Sequence, residues 1–308
     1  QEQIARIQDG FNPLPWEEGV NVRNIYASND LSLSLRRSSI VYIIVPTPRE
    51  GGGLSSKHVR EAITQIRRLS WDGLVIVAST LDPRDTAEVI DETSKIVYSP
   101  PLIRLGHVIE DMAQASLALL GTSNEVRGAV VSDFFQWKKI GSKVIQSDPT
   151  SIAVAKLAIN TTLSLRIGWA NELATTAENY GADKNAVLSA VQSDPRIGSG
   201  YMVPGWPPSG PCLPRDLETW IELSEGVLAK ALAGTHESHA ESLIDKTKTL
   251  LASKNKHKVT VLGLVYNPKA LDITNSQGIA IARELQSIGM DIRVYDPASM
   301  WFSEHITD

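Results

Sequence analysis

The residues best suited to chemistry surround a single cysteine. Cys212 is the only cysteine among the 308 residues, and it ends a segment, 204–211, made only of Pro, Gly, Trp and Ser. Arg215 and Asp216 follow within four residues. A thiol attacks only as the thiolate, which a neighbouring cation or a helix N-terminus favours. Most lone cysteines are instead small buried core residues, so the loop alone leaves both readings open.

Composition excludes several classes of protein. Charged residues make up 21% of the chain and the net charge is -5, with no basic stripe of the kind that binds nucleic acid. No apolar run is long enough to span a membrane, and no signal peptide is visible. One cysteine cannot form an internal disulfide, which fits a cytoplasmic protein. At this length we expect two or three domains, and the start at Gln1 is compatible with residues that precede it.

The first third of the chain alternates short β-branched runs with helical patterns. The predicted strands cover 39–45, 74–78 and 95–98, and the predicted helices cover 54–69 and 85–93. This alternation predicts a doubly wound α/β sheet. Ligands of such sheets bind at the carboxyl ends of the strands. Those ends are the segments 46–48, 79–80 and 99–100.

The rest of the chain is first helical and then returns to a strand pattern. A long helix is predicted from 148 to 180, with Lys156 and Asn160 one turn apart on one face. A helix over 184–193 follows, and another over 216–250 that we expect to break near Gly234. From Lys258 onward, a strand over 259–264, a helix over 276–287 and a strand over 291–295 predict a β-α-β unit of the nucleotide-binding type.

Several motifs occur in an order that is similar to one known family. They are Val45-Pro46-Thr47-Pro48, Ser79-Thr80, Tyr98-Ser99-Pro100, the Lys156/Asn160 helix, the Gly210-to-Asp216 segment and Val261-Leu262-Gly263-Leu264. This order resembles the UDP-glucose/GDP-mannose dehydrogenase family, which includes the UDP-N-acetylmannosamine branch. Its members use NAD to oxidise C6 of a nucleotide sugar to the uronate. The resemblance covers nearly the whole chain.

The resemblance implies two Rossmann-like doubly wound domains joined by a central helical domain. We expect an N-terminal NAD-binding domain over 1–148 without its opening β-α-β. A central helical dimerisation domain would cover 149–252 and carry the cysteine loop. An incomplete C-terminal domain over 253–308 would bind the nucleotide sugar. The same resemblance implies a homodimer or higher homo-oligomer.

It also implies roles for five residues. The Cys212 thiolate would capture the intermediate aldehyde as a thiohemiacetal, which the second oxidation turns into a thioester for water to hydrolyse. Asp216 would handle water or a proton. Lys156 would stabilise the oxyanion, a task for a fixed cation, and Asn160 would assist it. Thr80 would orient a water or the cofactor. A solvated helix lysine at 156 and a helix cap at 80 are the alternatives.

Binding residues follow from the same comparison. For the cofactor NAD they are Val45, Pro46, Thr47, Ser79 and Thr80. For the UDP-sugar they are Arg104, Gly205, Gly210 and Lys269. No metal site is expected. His236 and His239 have the spacing H-x-x-H, but without a third ligand we favour an exposed helix face. Trp206 and Trp220 flank the cysteine and suit either stacking on a ligand or core packing.

The chain also departs from the family pattern. It has no G-x-G-x-x-G; the run Gly51–Gly53 looks like a flexible loop, and residues 1–10 resemble the helix after the family's second strand. Pro101 stands where the family has a glutamate that helps to hydrolyse the thioester. Other differences are Leu105, Arg215, Asn267, Thr274 and the segment 206–208. A second hypothesis is therefore a divergent member that binds nucleotide sugars, acts as a scaffold or uses its thiol differently.

Overall fold

The chain folds into two compact units, Gln1–Lys156 and Leu157–Asp308. The computed structural model describes residues 25–90, 95–122, 125–137, 143–254, 256–267, 269 and 272–297. The predictions for residues 1–10, and for the end of the helix expected to reach 93, lie outside the described residues. The three-domain division stays a prediction.

Unit 1 is built on a five-stranded sheet. The strands of unit 1 are β1 (Ile40–Ile43), β2 (Arg49–Glu50), β3 (Gly53–Leu54), β4 (Leu74–Val77), β5 (Ile96–Tyr98), β6 (Ala118–Gly121) and β7 (Val144–Ser147). Its helices are α1 (Leu31–Arg36), α2 (Lys57–Arg68), α3 (Pro83–Val89), α4 (Val108–Ala113) and α5 (Glu125–Trp137). The sheet order is β1-β4-β5-β6-β7, while β2 and β3 form a separate hairpin. This α/β arrangement is Rossmann-like.

The three strands predicted from β-branched runs are confirmed. β1, β4 and β5 are parallel neighbours, with Ile43 opposite Val77 and Val77 opposite Tyr98. Their carboxyl ends therefore lie along one edge of the sheet. The core of the unit is centred on Ile76, Val97, Leu120 and Val131, all fully buried. Burial on both faces explains the near-continuous apolar sequences of the central strands.

Two features of unit 1 were not predicted correctly. Strands β6 and β7 were missed, and β6 runs antiparallel to β5. The sequence of β6, Ala-Leu-Leu-Gly, carries no β-branched residue and fits a helix equally well. The expected flexible loop at the glycine run is instead the turn of the β2-β3 hairpin. Gly51 and Gly52 have φ of 59° and 81°, the left-handed conformation that a two-residue hairpin turn requires.

Unit 2 is mainly helical. A long helix, α6 (Pro149–Asn179), passes from unit 1 into it. The other elements are α7 (Lys184–Ser193), α8 (Leu213–Ser224), α9 (Val227–Ser253), β8 (Lys258–Leu262), α10 (Gln277–Ser287) and β9 (Asp291–Tyr295). The expected break at Gly234 is wrong, since that residue lies inside α9. The chain breaks at Glu225, which ends α8 in the left-handed conformation with φ 50°, and Gly226 begins α9.

The predicted β-α-β unit near the end of the chain is confirmed. β8 and β9 pair in parallel from Lys258 opposite Asp291 to Leu262 opposite Tyr295. Gly278, in the first turn of α10, packs directly on the turn after β8. A Cβ added at Gly278 would lie 2.0 Å from the carbonyl oxygen of Gly263. Only glycine permits this close approach of helix and strand end.

Gly278 and Gly234, both inside helices of unit 2, give a matched test of this packing. Gly278→Ala should lower the free energy of unfolding by about 2 kcal/mol, because its methyl group meets backbone that cannot move away. Gly234→Ala meets no atom within 4 Å and should raise that free energy by about 0.5–1 kcal/mol through its better helix propensity. Urea unfolding of the two variants measures both effects. Equal effects of the same sign would contradict the packing described here.

Candidate active site

The sheet edge of unit 1 holds most of the residues predicted to bind the cofactor. The Ser79 hydroxyl accepts the Val45 N–H and donates to the Val45 carbonyl oxygen, both at 2.8 Å, so it joins the ends of β1 and β4. Thr47 and Ser79 are buried, Pro46 is exposed, and Thr80 is half-buried. The structure thus brings these residues to the carboxyl ends of neighbouring parallel strands, where doubly wound sheets bind ligands.

Asp82, not Thr80, caps the helix that follows β4. Its Oδ1 accepts the Arg84 N–H at 2.9 Å, and its Oδ2 accepts the Leu54 N–H of the hairpin at 3.1 Å. The capping alternative for Thr80 is therefore wrong. Burial alone would raise the pKa of Asp82, but the hydrogen bonds from Arg84 and Leu54 hold that pKa below its usual value. Asp82 stays ionised and ties the hairpin to α3.

Lys156 is not a solvated helix lysine. It is 8% exposed, and its Nζ donates to the carbonyl oxygen of Pro101 at 2.9 Å. Asn160, 9% exposed, lies one turn further along α6 on the same face. The ammonium group thus contacts the backbone of Pro101. By the family resemblance, Pro101 stands where a glutamate is expected.

The cysteine stands at the start of a helix and next to a buried carboxylate. Cys212 is exposed and occupies the N-cap position of α8, and the Asp216 N–H donates to its carbonyl oxygen at 2.9 Å. The Asp216 carboxylate is fully buried. Its Oδ2 accepts Asn160 Nδ2 at 2.6 Å, and its Oδ1 accepts the Arg215 guanidinium at 2.8–2.9 Å. The structure thus joins Asn160, Asp216 and the helix turn that begins at Cys212.

The predicted substrate residue Gly210 lies under an aromatic ring. Gly210 is buried with φ 77°, and a Cβ there would lie 2.8 Å from the ring of Tyr266. Its carbonyl oxygen accepts Asn275 Nδ2 at 3.1 Å, and its N–H donates to the Thr274 carbonyl oxygen at 2.9 Å. Burial raises the pKa of Tyr266 to about 12, and the nearby Cys212 adds to this shift, so the Tyr266 hydroxyl keeps its proton.

Other predicted residues have local contacts of their own. Arg104 pairs with Asp111 at 2.6 Å on the surface, and the hydrogen bond from Arg104 lowers the pKa of Asp111. Lys269 is exposed, and its N–H donates to Asn267 Oδ1 at 3.0 Å. Trp220 packs on the core cluster of α8 and α9, which favours the core-packing alternative for that residue.

The two histidines of α9 do not form an exposed helix face, so that expectation is wrong. His236 is 8% exposed and packs over Gly168, with its Cε1 3.2 Å from where a Cβ would stand. His239 is half-buried, and its Nε2 lies 2.9 Å from the Gly205 carbonyl oxygen. Within the described residues, no group of three or more His, Cys, Asp or Glu side chains could hold a metal ion.

Several contacts around the cysteine loop were not predicted from the sequence. Asn171, His239, Tyr266 and Asn275 all contact its glycines. For Asn171 a signal existed, because it follows Asn160 by eleven residues, which is close to three helical turns and therefore the same face of α6. The other three are brought to the loop by tertiary packing, which spacing alone does not reveal.

The fold and these residues define a class of protein. It is an α/β protein with a Rossmann-like NAD-binding sheet and a helical domain that carries an exposed thiol at a helix start. No helix in the described part of the chain has the length and apolar content needed to cross a bilayer.

Comparison with known proteins makes the assignment specific. Residues 15–138 match the NAD binding domain of the UDP-glucose/GDP-mannose dehydrogenase family, and residues 150–238 match its central domain. The chain therefore belongs to the UDP-glucose/GDP-mannose dehydrogenase family. UDP-glucose 6-dehydrogenase TuaD of Bacillus subtilis is 26% identical over 97% of this chain and 70% of its own length.

Solved structures show the same fold. A UDP-glucose dehydrogenase from Pyrobaculum islandicum has a TM-score of 0.86 and 23% identity, covering 100% of this chain and 77% of that one. A UDP-D-ManNAc dehydrogenase from Pyrococcus horikoshii has a TM-score of 0.84 and 21% identity, covering 97% of this chain and 76% of that one. At these identities the likeness concerns the fold alone.

The packing of His236 over Gly168 has a testable consequence for the pH dependence of stability. Burial lowers the pKa of His236 from 6.5 to about 4, with the charge of His239 as a smaller cause. Between these pH values the unfolded chain binds more protons than the folded one. The stability is therefore fully present above pH 6.5 and falls by about 3 kcal/mol as the pH drops to 4.

Urea unfolding at pH 7.5 and pH 4.5 measures the effect. His236→Gln, which does not titrate, should remove most of the pH dependence that His236 contributes. His58→Gln is the matched control, since His58 is exposed on α2 and pairs only with Glu61 at 3.3 Å among the contacts described. If the wild-type protein and His236→Gln lost equal stability on acidification, the assignment of the pH dependence to His236 would be wrong.

Proposed function

We propose that the protein is an NAD-dependent nucleotide-sugar 6-dehydrogenase that oxidises C6 of a UDP-sugar to the uronate, for polysaccharide or surface glycan synthesis. The observation that carries the proposal is the buried Asn160–Asp216 contact beside Cys212, at 2.6 Å. It joins two of the residues that the family resemblance assigns to catalysis, and a third, Cys212, lies one turn before Asp216 at the start of the same helix. The named activity of the relative TuaD, UDP-glucose 6-dehydrogenation, supports the substrate class.

Cys212 is proposed as the nucleophile. Its position at the start of α8 favours the thiolate, because the N-terminal end of a helix carries partial positive charge. The thiolate sulfur adds to the C6 aldehyde and forms the C–S bond of a thiohemiacetal. After the second oxidation, water attacks the thioester carbon, the C–S bond breaks, and the carboxylate and the thiol are released. Asp216 is proposed to take a proton from that water.

Lys156 and Asn160 are proposed to stabilise the negative oxygen of the thiohemiacetal. A cation held in place before the reaction costs no reorganisation when charge develops, which is the condition for effective stabilisation. Lys156 is held by the Pro101 carbonyl oxygen, and Asn160 by the Asp216 carboxylate. Both contacts fix the side chains in advance of substrate.

The strand ends of unit 1 fit NAD. The buried Thr47, the half-buried Thr80 and the joined ends of β1 and β4 line the sheet edge where dinucleotides bind in this type of fold. We propose that Val45, Pro46, Thr47, Ser79 and Thr80 hold the cofactor there, with Ser79 acting through the strand ends that it joins. Bound NAD would accept the hydride that leaves C6 in each of the two oxidations.

The remaining elements are assigned by the same proposal. The β8-α10-β9 unit would belong to a second Rossmann-like domain that binds the nucleotide sugar, with Lys269 as a contact. Arg104, Gly205 and Gly210 are proposed as further substrate contacts. We place the protein in the cytoplasm.

We further propose that two copies associate through α6. Leu165 and Trp169 are one turn apart on that helix and remain 37% and 48% exposed. Trp169→Glu should shift the protein from dimer to monomer in size-exclusion chromatography with light scattering, because a buried unpaired charge opposes the contact. Tyr180→Glu, also on an exposed aromatic residue just beyond α6, is the control and should leave the dimer intact. A monomeric wild-type protein would contradict the proposed association.

One observation favours a slow last step. Pro101 offers no carboxylate where the family has its glutamate, so hydrolysis of the thioester would lack a base at that position. We expect the protein, given NAD and a UDP-sugar, to release two NADH per Cys212 in a fast phase, followed by slower turnover. Intact-protein mass spectrometry should detect the acyl group on Cys212 during that slow phase. Cys212→Ala should lose both the fast phase and the adduct.

Two substitutions of Pro101 test whether the missing carboxylate slows hydrolysis of the thioester. Pro101→Glu should raise the steady-state rate of NADH formation by at least about tenfold, since a positioned general base contributes that much or more. Pro101→Gln has nearly the same size without the carboxylate and should not raise it. Absence of NADH with every UDP-sugar tested would overturn the proposed dehydrogenase and favour the hypothesis of a binding or scaffold protein.

A further inference from the structure

The backbone leading to the cysteine is held by side chains along its length. Arg166 donates to three carbonyl oxygens, those of Ile197, Gly198 and Gly200. Gln192 Nε2 donates to the Met202 carbonyl oxygen at 2.6 Å. Gly210 is held by the Asn275 side chain and by the backbone carbonyl oxygen of Thr274. This segment has no regular secondary structure, so these contacts set its path.

Gly205 is the point at which two helices meet the segment. Asn171 Oδ1, on α6, accepts the Gly205 N–H at 2.7 Å. His239 Nε2, on α9, lies 2.9 Å from the Gly205 carbonyl oxygen. A carbonyl oxygen only accepts, so His239 must carry its proton on Nε2. The backbone N–H and the carbonyl oxygen of Gly205 are therefore both bonded to side chains, although Gly205 itself is exposed to solvent.

We propose that Asn171 and His239 are positioning residues that place Cys212 at the start of α8 by fixing Gly205. Neither residue has been given a role in the proposed reaction. The consequence for turnover rests on the proposed function, whereas the consequence for the reactivity of the thiol does not.

The sequence between the two glycines explains how a contact at Gly205 reaches the thiol. Pro207, Pro208 and Pro211 each restrict φ to about -65° and also restrict the residue before them, so the segment from Gly205 to Pro211 is stiffer than an ordinary loop. Gly210, buried under Tyr266, is the second fixed point. Loss of a contact at Gly205 therefore changes the path of a stiff segment that runs through Gly210 to Cys212, and with it the orientation of the thiol at the start of α8.

The single cysteine provides a direct measurement. The rate of alkylation by iodoacetamide at pH 7, followed by mass spectrometry on the full chain, reports on Cys212 alone. The Nε2 of a glutamine side chain matches that of histidine, whereas the amide of asparagine is too short to reach the same point. His239→Gln should therefore react at the wild-type rate. His239→Asn should react about fivefold more slowly, the effect of losing one hydrogen bond.

Stability and kinetics of the two His239 variants distinguish a positioning role from a merely structural one. The free energy of unfolding of the two His239 variants should differ by only about 1 kcal/mol, the contribution of one hydrogen bond, so both variants stay folded in the assay. With NAD and a UDP-sugar, His239→Asn should lower kcat and leave KM for NAD unchanged, and His239→Gln should restore kcat. If both variants alkylated at the wild-type rate, or if His239→Asn reacted faster, the proposal would be overturned.

Asn171, which bonds the N–H of Gly205, provides an independent test. Asn171→Ala should also slow alkylation about fivefold, because it removes the other hydrogen bond to Gly205. Asn179→Ala, on the exposed last residue of the same helix, is the control and should not change the rate. A wild-type protein that forms no NADH would refute the dehydrogenase but leave these rates to decide the positioning role. Equal rates for Asn171→Ala and Asn179→Ala would count against the positioning role alone.

Discussion

The buried carboxylate of Asp216 is the constraint on which the site depends. An ionised group fully removed from water is costly unless hydrogen bonds and opposite charge compensate it. Here Asn160 supplies a hydrogen bond from α6 and Arg215 supplies the charge from α8. Because Asp216 lies in the first turn of α8, satisfying its carboxylate also fixes that turn against α6. This requirement fixes the helix turn that follows Cys212, whereas the path of the segment before the thiol is set by the contacts at Gly205 and Gly210.

The same constraint explains why these side chains are found together. Removing Asn160 would leave a buried carboxylate oxygen without one of its partners, and the remaining Arg215 could reach only from the other side. Breaking such a pair costs more than the pair itself contributes. The contact therefore has a structural reason to exist, and the proposed chemistry uses an arrangement that the fold must keep in any case.

Much of this arrangement could be predicted from the sequence because it depends on local patterns. β-branched runs predicted the three parallel strands, and Ser276 and Asp183 cap the helices α10 and α7 where the pattern places their starts. The spacing of Lys156 and Asn160 placed both on one helical face. The failures had two causes. Strand β6 pairs with β5 despite a helix-compatible sequence, and Glu225 ends α8 in a left-handed conformation unusual for its residue type.

The histidine pair shows the same limit at the site. Its spacing suggested a metal ligand set or a solvated face, and neither reading could anticipate that Gly168 on another helix leaves room for His236. Nor could spacing show that His239 would meet a backbone carbonyl in a loop thirty-four residues earlier in the chain. Burial and a specific acceptor, not sequence periodicity, decide what these two side chains do.

Helix α6 sets the distance between two points of the cysteine segment. Asn160 and Asn171 are eleven residues apart on the helix and hold Asp216 and Gly205, which are eleven residues apart in the segment. Eleven helical residues span about 16 Å, whereas an extended chain of the same length reaches about 36 Å. The segment must therefore fold back on itself between the two contacts. The left-handed Gly210 and the first turn of α8, which begins at Leu213, contribute to that compaction.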